Sequence, residues 1–296
     1  MNLNDLLLAK NIDPKQVLVF RHRPTEPRLN KVLGWLASEK PNMFNAYQQT
    51  QGERVEKAML GAAYVASFIG HEAGKALFVG LFSIEAWRWI TFEEYWQVPE
   101  NIELKKFEMR GFRGIEDGRG RSSCRWFDLK QTEFHSEWKG KLIVKWPPPE
   151  ISWWRRAHNN DMPVLAILED SAFDAAAALP KWDEMELSWE ELGVLPERLK
   201  SVLSQWRAIY YIFDASDRKG YVGAAYGDHN LLGRWLDYAA SGHGGNKLLR
   251  GRDPQNFRFT ILQRVSPDMD ESKLIQLEST WKTRLHTHPP HGLNDN

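Results

Sequence analysis

Ala208-Ile209-Tyr210-Tyr211-Ile212-Phe213 is followed by a polar run from Asp214 to Gly220 and then by Tyr221-Val222-Gly223. The first run is apolar and β-prone, the second is turn-forming, and the third restarts an extended pattern. That order predicts a hairpin with Tyr210 and Tyr221 on paired strands. Two phenols held close together can hold a water or relay a proton. A pair of sheet tyrosines without chemistry is the plain alternative.

Downstream, Asp228-His229-Asn230 can cap a helix that runs to Ser241 and closes at Gly242. Arg234 and Tyr238 stand four apart on it and share a face. Arg234 near an apolar stripe reads either as half of an ion pair or as a cation set against a phosphate. A last helix is predicted over Ser272 to His286, with Leu274, Glu278, Trp281 and Leu285 on one face. A carboxylate in an apolar stripe is costly unless paired, protonated or metal-bound. A salt bridge, for example to Arg234, competes with the metal reading. The run Gly242-His243-Gly244-Gly245-Asn246-Lys247 reads as a loop beside the site. His243 and Lys247 could touch a phosphate there or serve only the turn.

Taken together, Ala-Ile-Tyr, Tyr-Val-Gly, Arg234, Tyr238, Glu278 and Asn294 resemble the GIY-YIG nuclease domain in order and spacing. The resemblance covers Trp206 to Asn296, about a third of the chain. It implies a small mixed or antiparallel sheet flanked by helices. It implies a site of Tyr210, Tyr221, Arg234, Tyr238, Glu278 and Asn294, with one Mg²⁺ or Mn²⁺ held by Glu278. The implied reaction is phosphodiester hydrolysis in double-stranded DNA. Tyr210, assisted by Tyr221, would position or deprotonate the attacking water, and Arg234 would neutralise the phosphate. Three details depart from the family pattern. Ala208 replaces the first motif glycine, Ala224 stands where some members carry Lys, and Asn296 lies close to Asn294.

Composition frames the remainder. The chain has 296 residues and 42% apolar content, enough for one large domain or two ordinary ones. No apolar run of about eighteen residues predicts a membrane span. The N-terminal stretch carries acids and lacks an apolar signal core, and the single Cys124 fits a reducing cytoplasm. The 39 basic and 39 acidic residues cancel, so a DNA-binding surface must be a local patch. From Lys200 onward there are 13 Lys and Arg against 10 Asp and Glu, too small an excess to mark one.

Residues 1–185 are expected to form an α+β recognition domain with a small barrel-like or curved sheet. Helical spacing appears at Leu29, Val32, Leu33 and Leu36, and again at Ala58, Ala62, Val65 and Ile69. Strands are predicted at Val17–Phe20, Ala76–Phe82, Cys124–Leu129, Lys141–Trp146 and Val164–Leu168. Residues 186–205 read as a connecting helix, and 206–296 as the nuclease domain. Between strands, Arg110, Arg113, Arg119 and Arg121 alternate with glycines. Such forks suit phosphate or base contact, and a solvated hairpin loop is the other reading. Of 14 tryptophans, 11 precede residue 200.

The segment Trp138 to Trp146 is faintly similar to strands of PUA-like base-reading barrels. That resemblance makes Trp126, Trp138, Trp146, Trp153 and Trp154 candidates to stack on a flipped base. The whole chain then reads as a nuclease directed to modified DNA, as in modification-dependent (type IV-like) restriction against phage. The alternatives are a sequence- or structure-specific nuclease of repair or mobile elements, or a decayed DNA-binding protein. Cuts on both strands need two sites or a reorientation, which a homodimer would supply.

Overall fold

The computed structural model describes residues 1–111, 121–175, 181–227 and 229–295. The architecture is α+β in two compact units, Met1–Ala176 and Ala177–Asn296. Among the described residues no helix is long and apolar enough to cross a membrane.

The first unit is built on strands β1 (Val17–His22), β2 (Tyr64–Gly70), β3 (Lys75–Thr91), β4 (Ser123–Gln131), β5 (Leu142–Lys145), β6 (Trp154–Arg156) and β7 (Val164–Ile167). They form one curled mixed sheet in the order β6-β1-β2-β3-β5-β7. β1 and β2 run parallel, and β4 pairs with the far half of β3. β3 is 17 residues long, so one of its edges takes β5 at Lys75–Leu77 and β4 at Phe82–Thr91. Helices α1 (Leu3–Ala9), α2 (Pro27–Glu39), α3 (Pro41–Gln48), α4 (Glu53–Met59), α5 (Phe92–Tyr95), α6 (Pro99–Lys105) and α7 (Ala172–Ala175) complete the unit. Leu7, Val19, Phe68, Phe78, Val144 and Trp146 share one apolar core.

The stripe predicted on α2 is buried at Leu29, Val32, Leu33 and Leu36. The second predicted stripe is not a helix. α4 ends at Met59, and Val65 and Ile69 lie on β2. β2 sits between β1 and β3, so ladder bonds on both edges outweigh a weak i, i+4 pattern.

In the second unit, β8 (Glu186–Ser188), β9 (Ala208–Asp214), β10 (Lys219–Ala225) and β11 (Phe257–Arg264) form an antiparallel sheet in the order β10-β9-β11-β8. Helices α8 (Trp189–Leu192), α9 (Glu197–Gln205), α10 (Asn230–Ser241) and α11 (Glu271–Arg284) surround it. Residues 186–205 are therefore not a connecting helix. Glu186–Ser188 pairs with Arg258–Thr260 as an edge strand, and Ser188 caps α8 in a reciprocal box with Glu191. α9 buries Leu199 and Leu203. The division between units falls at 176/177 rather than at 185.

Candidate active site

The hairpin forms as the sequence predicts, with Tyr210 opposite Gly223 and Tyr221 opposite Ile212. Asp214 ties its turn, accepting from Ser216 N at 2.9 Å and from Arg252 Nη1 at 2.6 Å. Side chains alternate across the sheet. Ile209, Val222 and Ala224 face α11 and pack with Leu274, whereas Tyr210 and Tyr221 face α10. A Cβ on Gly223 would collide with the Tyr210 ring, so the second motif glycine lets the phenol lie across β10.

α10 completes the cluster. Leu231, Trp235 and Tyr238 form its buried face. The hydroxyls of Tyr210 and Tyr238 are 3.2 Å apart. The Tyr221 ring lies 5.9 Å from that of Tyr238 and 6.4 Å from that of Tyr210. The half-buried Arg234 guanidinium stands 5.6 Å from the Tyr238 ring and also approaches the Tyr210 hydroxyl. Burial, reinforced by the neighbouring phenols, pushes Tyr210 and Tyr238 far above the ordinary phenol range. Arg234 opposes this at Tyr210 and does not overcome it, so both groups keep their protons. Tyr210 is thus equipped to orient a water rather than to deprotonate one.

The helix start differs from expectation. Asp228 lies outside the described residues, His229 makes no side-chain cap, and Asn230 Nδ2 donates to Ser204 O at 3.0 Å. Gly242 closes the helix at φ 74°. The loop after it does lie beside the cluster, because a Cβ on Gly244 would come 2.6 Å from the Tyr238 ring. His243 Nδ1 accepts from Gly245 N at 2.9 Å and so serves the turn. Lys247 is exposed and stands 3.9 Å from Asp295.

Asn294 is fully buried and holds the outer edge of β10. Its Oδ1 accepts from Val222 N at 2.9 Å, and its Nδ2 donates to Val222 O at 2.8 Å. Both ends of the amide are committed to backbone, so Asn294 positions the strand carrying Tyr221 instead of facing a phosphate.

Glu278 lies on α11, whose Leu274 packs with Ile209, Val222 and Ala224, and pairs with Lys282 at 2.9 Å rather than with Arg234. A bonded path joins it to β10. Lys282 O accepts from Thr287 N, Thr287 O accepts from Asn294 N, and Asn294 holds Val222. Of the remaining predicted face, Leu274 is buried and Leu285 is 39% exposed. Among the described residues no group of three or more His, Cys, Asp or Glu side chains could hold a metal. The donor set is one carboxylate, too few for a resident ion. One carboxylate suffices for Mg²⁺ only where substrate phosphates complete its ligands.

The N-terminal candidates fare differently. Arg113 and Arg119 lie outside the described residues, and Arg110 is exposed. Arg121 is not a free fork, since it donates to both oxygens of the buried Glu56 at 2.7 Å. Trp126 and Trp146 are core residues, 8% and 2% exposed, and leave no open ring for a base. Trp138 stacks on His135 at 3.9 Å, Trp153 packs on Phe20, and Trp154 lies beneath Arg54. The outward tryptophans are Trp87 and Trp89, which the strand prediction of 76–82 stopped short of. Alternation through Trp87-Arg88-Trp89 was the signal that marked an extended continuation.

Compared with family models, with curated proteins and with solved structures, the chain matches none.

Proposed function

We propose that residues 206–296 form a GIY-YIG-type endonuclease site that hydrolyses DNA phosphodiester bonds with Mg²⁺ or Mn²⁺. The observation that carries this reading is the convergence of Tyr210, Tyr221, Arg234 and Tyr238 on one face of the sheet. Those four were singled out by order and spacing, and a merely structural pair of sheet tyrosines does not require a cation beside three phenols.

The chemistry follows from the groups present. Tyr210 hydrogen-bonds Tyr238 and keeps its proton, so its oxygen can accept from a water and aim it at phosphorus. The water oxygen forms the new P–O bond and gives up one proton to solvent, the bond to the leaving sugar oxygen breaks, and that oxygen takes up a proton from solvent in exchange. Arg234 sets a fixed positive charge against the phosphoryl oxygens, where negative charge grows. Glu278 is the residue that would hold the cation, with phosphate oxygens of the DNA completing its ligands. When bound, the cation supplies Lewis-acid stabilisation of the leaving oxygen.

The test is cleavage of duplex DNA with Mg²⁺ by the full chain, by Glu278→Ala and by Arg234→Ala. Each variant should melt near the wild-type temperature and fail to cut, and chelation should stop the wild type. Full Mg²⁺-dependent cleavage by folded Glu278→Ala overturns the assignment. We assign target choice to the N-terminal unit. Digestion of unmodified, hydroxymethylated and glucosylated DNA side by side tests whether the target is modified DNA, and equal cutting of all three removes that idea.

A further inference from the structure

β3 leaves the core over residues 85–89 and returns to it at Ile90. Residues 85–89 are all exposed and pair only with β4. Trp87 and Trp89, two apart on one strand, project from the same face and are 44% and 52% exposed. Between them sits Arg125 of β4, its guanidinium carbon 4.9 Å from the Trp87 ring centre and 4.4 Å from that of Trp89.

The arginine is anchored from behind. Glu56, on α4 and 1% exposed, accepts from Arg125 Nη1 and from Arg125 N, each at 3.2 Å. The same carboxylate accepts both Arg121 bonds. Trp89, Arg121, Arg125, Lys57 and Ser122 line an open depression of about 410 Å³. Its three cations face two carboxylates, Glu53 and Glu56, and Glu56 is inward and fully engaged.

Half-exposed indoles are expensive to hydrate and are seldom left so without use. Here Trp89, with Trp87 beside it, borders a depression whose arginines are held in place by a buried carboxylate. A duplex hides its base faces in the stack and offers an indole only base edges and phosphates. An apolar protein surface would bury the Lys57 ammonium without an anion. An unpaired nucleotide satisfies both halves, with its base on an indole and its phosphate against Lys57.

We propose that the Trp87–Arg125–Trp89 platform binds an unpaired nucleotide of a nucleic-acid strand. The proposal does not rest on the nuclease reading, because neither the tyrosine cluster nor Glu278 enters it. The test is fluorescence anisotropy of a labelled single-stranded oligonucleotide with the full chain in a chelating buffer, beside a duplex of the same sequence. The double variant Trp87→Ala/Trp89→Ala should lose about ten-fold or more in single-strand affinity. Its duplex affinity should change far less. Equal single-strand affinity in wild type and a folded double variant overturns the proposal. So does a wild type that binds no single strand, the result expected if this face docks a protein instead. A second measurement needs no variant: an oligonucleotide carrying iodouracil is photocrosslinked, and the attached peptide is identified by mass. Attachment at Trp87 or Trp89 supports the platform, and attachment confined to other residues overturns it.

Discussion

The hydroxyl of Tyr210, on β9, lies 3.2 Å from that of Tyr238, on α10. Both side chains are fully buried, so this bond joins strand to helix at the centre of the candidate site. Tyr238→Phe removes it and leaves Arg234 as the group beside the Tyr210 hydroxyl. Losing one buried bond of this kind costs about 1–2 kcal/mol. The expected result is a modest drop in melting temperature with a larger drop in cleavage, because Tyr210 loses its orientation. Cleavage by Tyr238→Phe at the wild-type rate would show that this bond does not orient the site.

The same burial fixes an alkaline signature. Tyr210 and Tyr238 are raised above the ordinary phenol value of 10.0, chiefly by burial. Below about pH 10 both folded and unfolded chains keep these protons, and the contribution is fully present. Above it the unfolded chain releases protons that the folded chain retains, so stability falls as pH rises. Unfolding midpoints should decline steeply above about pH 10. Tyr210→Phe/Tyr238→Phe should decline less steeply, and parallel curves would remove the assignment.

Gly223 carries a steric prediction. A Cβ there meets the Tyr210 ring across the hairpin, and the ring is fully buried with nowhere to retreat. Gly223→Ala should destabilise by about 1–3 kcal/mol, the usual cost of overpacking. It should also cut activity more than the stability loss explains, because the displaced group is Tyr210. Denaturant unfolding beside cleavage assays separates the two effects.

What could be read from the sequence was what is local. The hairpin was legible because a polar turn separates two β-prone runs, and the α10 face because Trp235 and Tyr238 recur at helical spacing. The partner of Glu278 was legible in principle, since Lys282 stands four residues on. The apolar stripe on α11 points instead to a metal or to Arg234. The tryptophans could not be sorted, because burial of Trp126 and Trp146 against exposure of Trp87 and Trp89 depends on where a 17-residue strand leaves the sheet. Likewise, Glu186–Ser188 becomes a strand only because Arg258–Thr260 offers it an edge.

Asn294 closes the edge of β10 with two bonds to one residue, Val222. Asn294→Ala would leave a buried N–H and a buried C=O unpaired, at about 1–3 kcal/mol each when water cannot replace the partner. Asn294→Asp keeps the acceptor for Val222 N and sets a carboxylate oxygen against Val222 O. Both variants should melt lower, with the aspartate the worse of the two at neutral pH and partly rescued on acidification. An aspartate variant as stable as wild type would mean that water reaches this edge.

His22 sets an acid limit on the first unit. It is buried among Phe20, Phe44, Tyr47 and Trp153, with its Nε2 3.3 Å from Gln48 Oε1. Burial lowers its pKa from 6.5 to about 4, and the Gln48 contact only partly opposes this. The folded chain therefore holds His22 neutral while the unfolded chain takes up a proton below 6.5. The contribution is full above 6.5 and is lost as pH falls toward 4, in all about 3 kcal/mol. Urea unfolding at neutral pH and at about pH 5 should show the first unit weakening on the acid side. His22→Gln, which cannot titrate, should be less stable at neutral pH and nearly flat across that interval. A variant with the wild-type slope would place the acid sensitivity on another group.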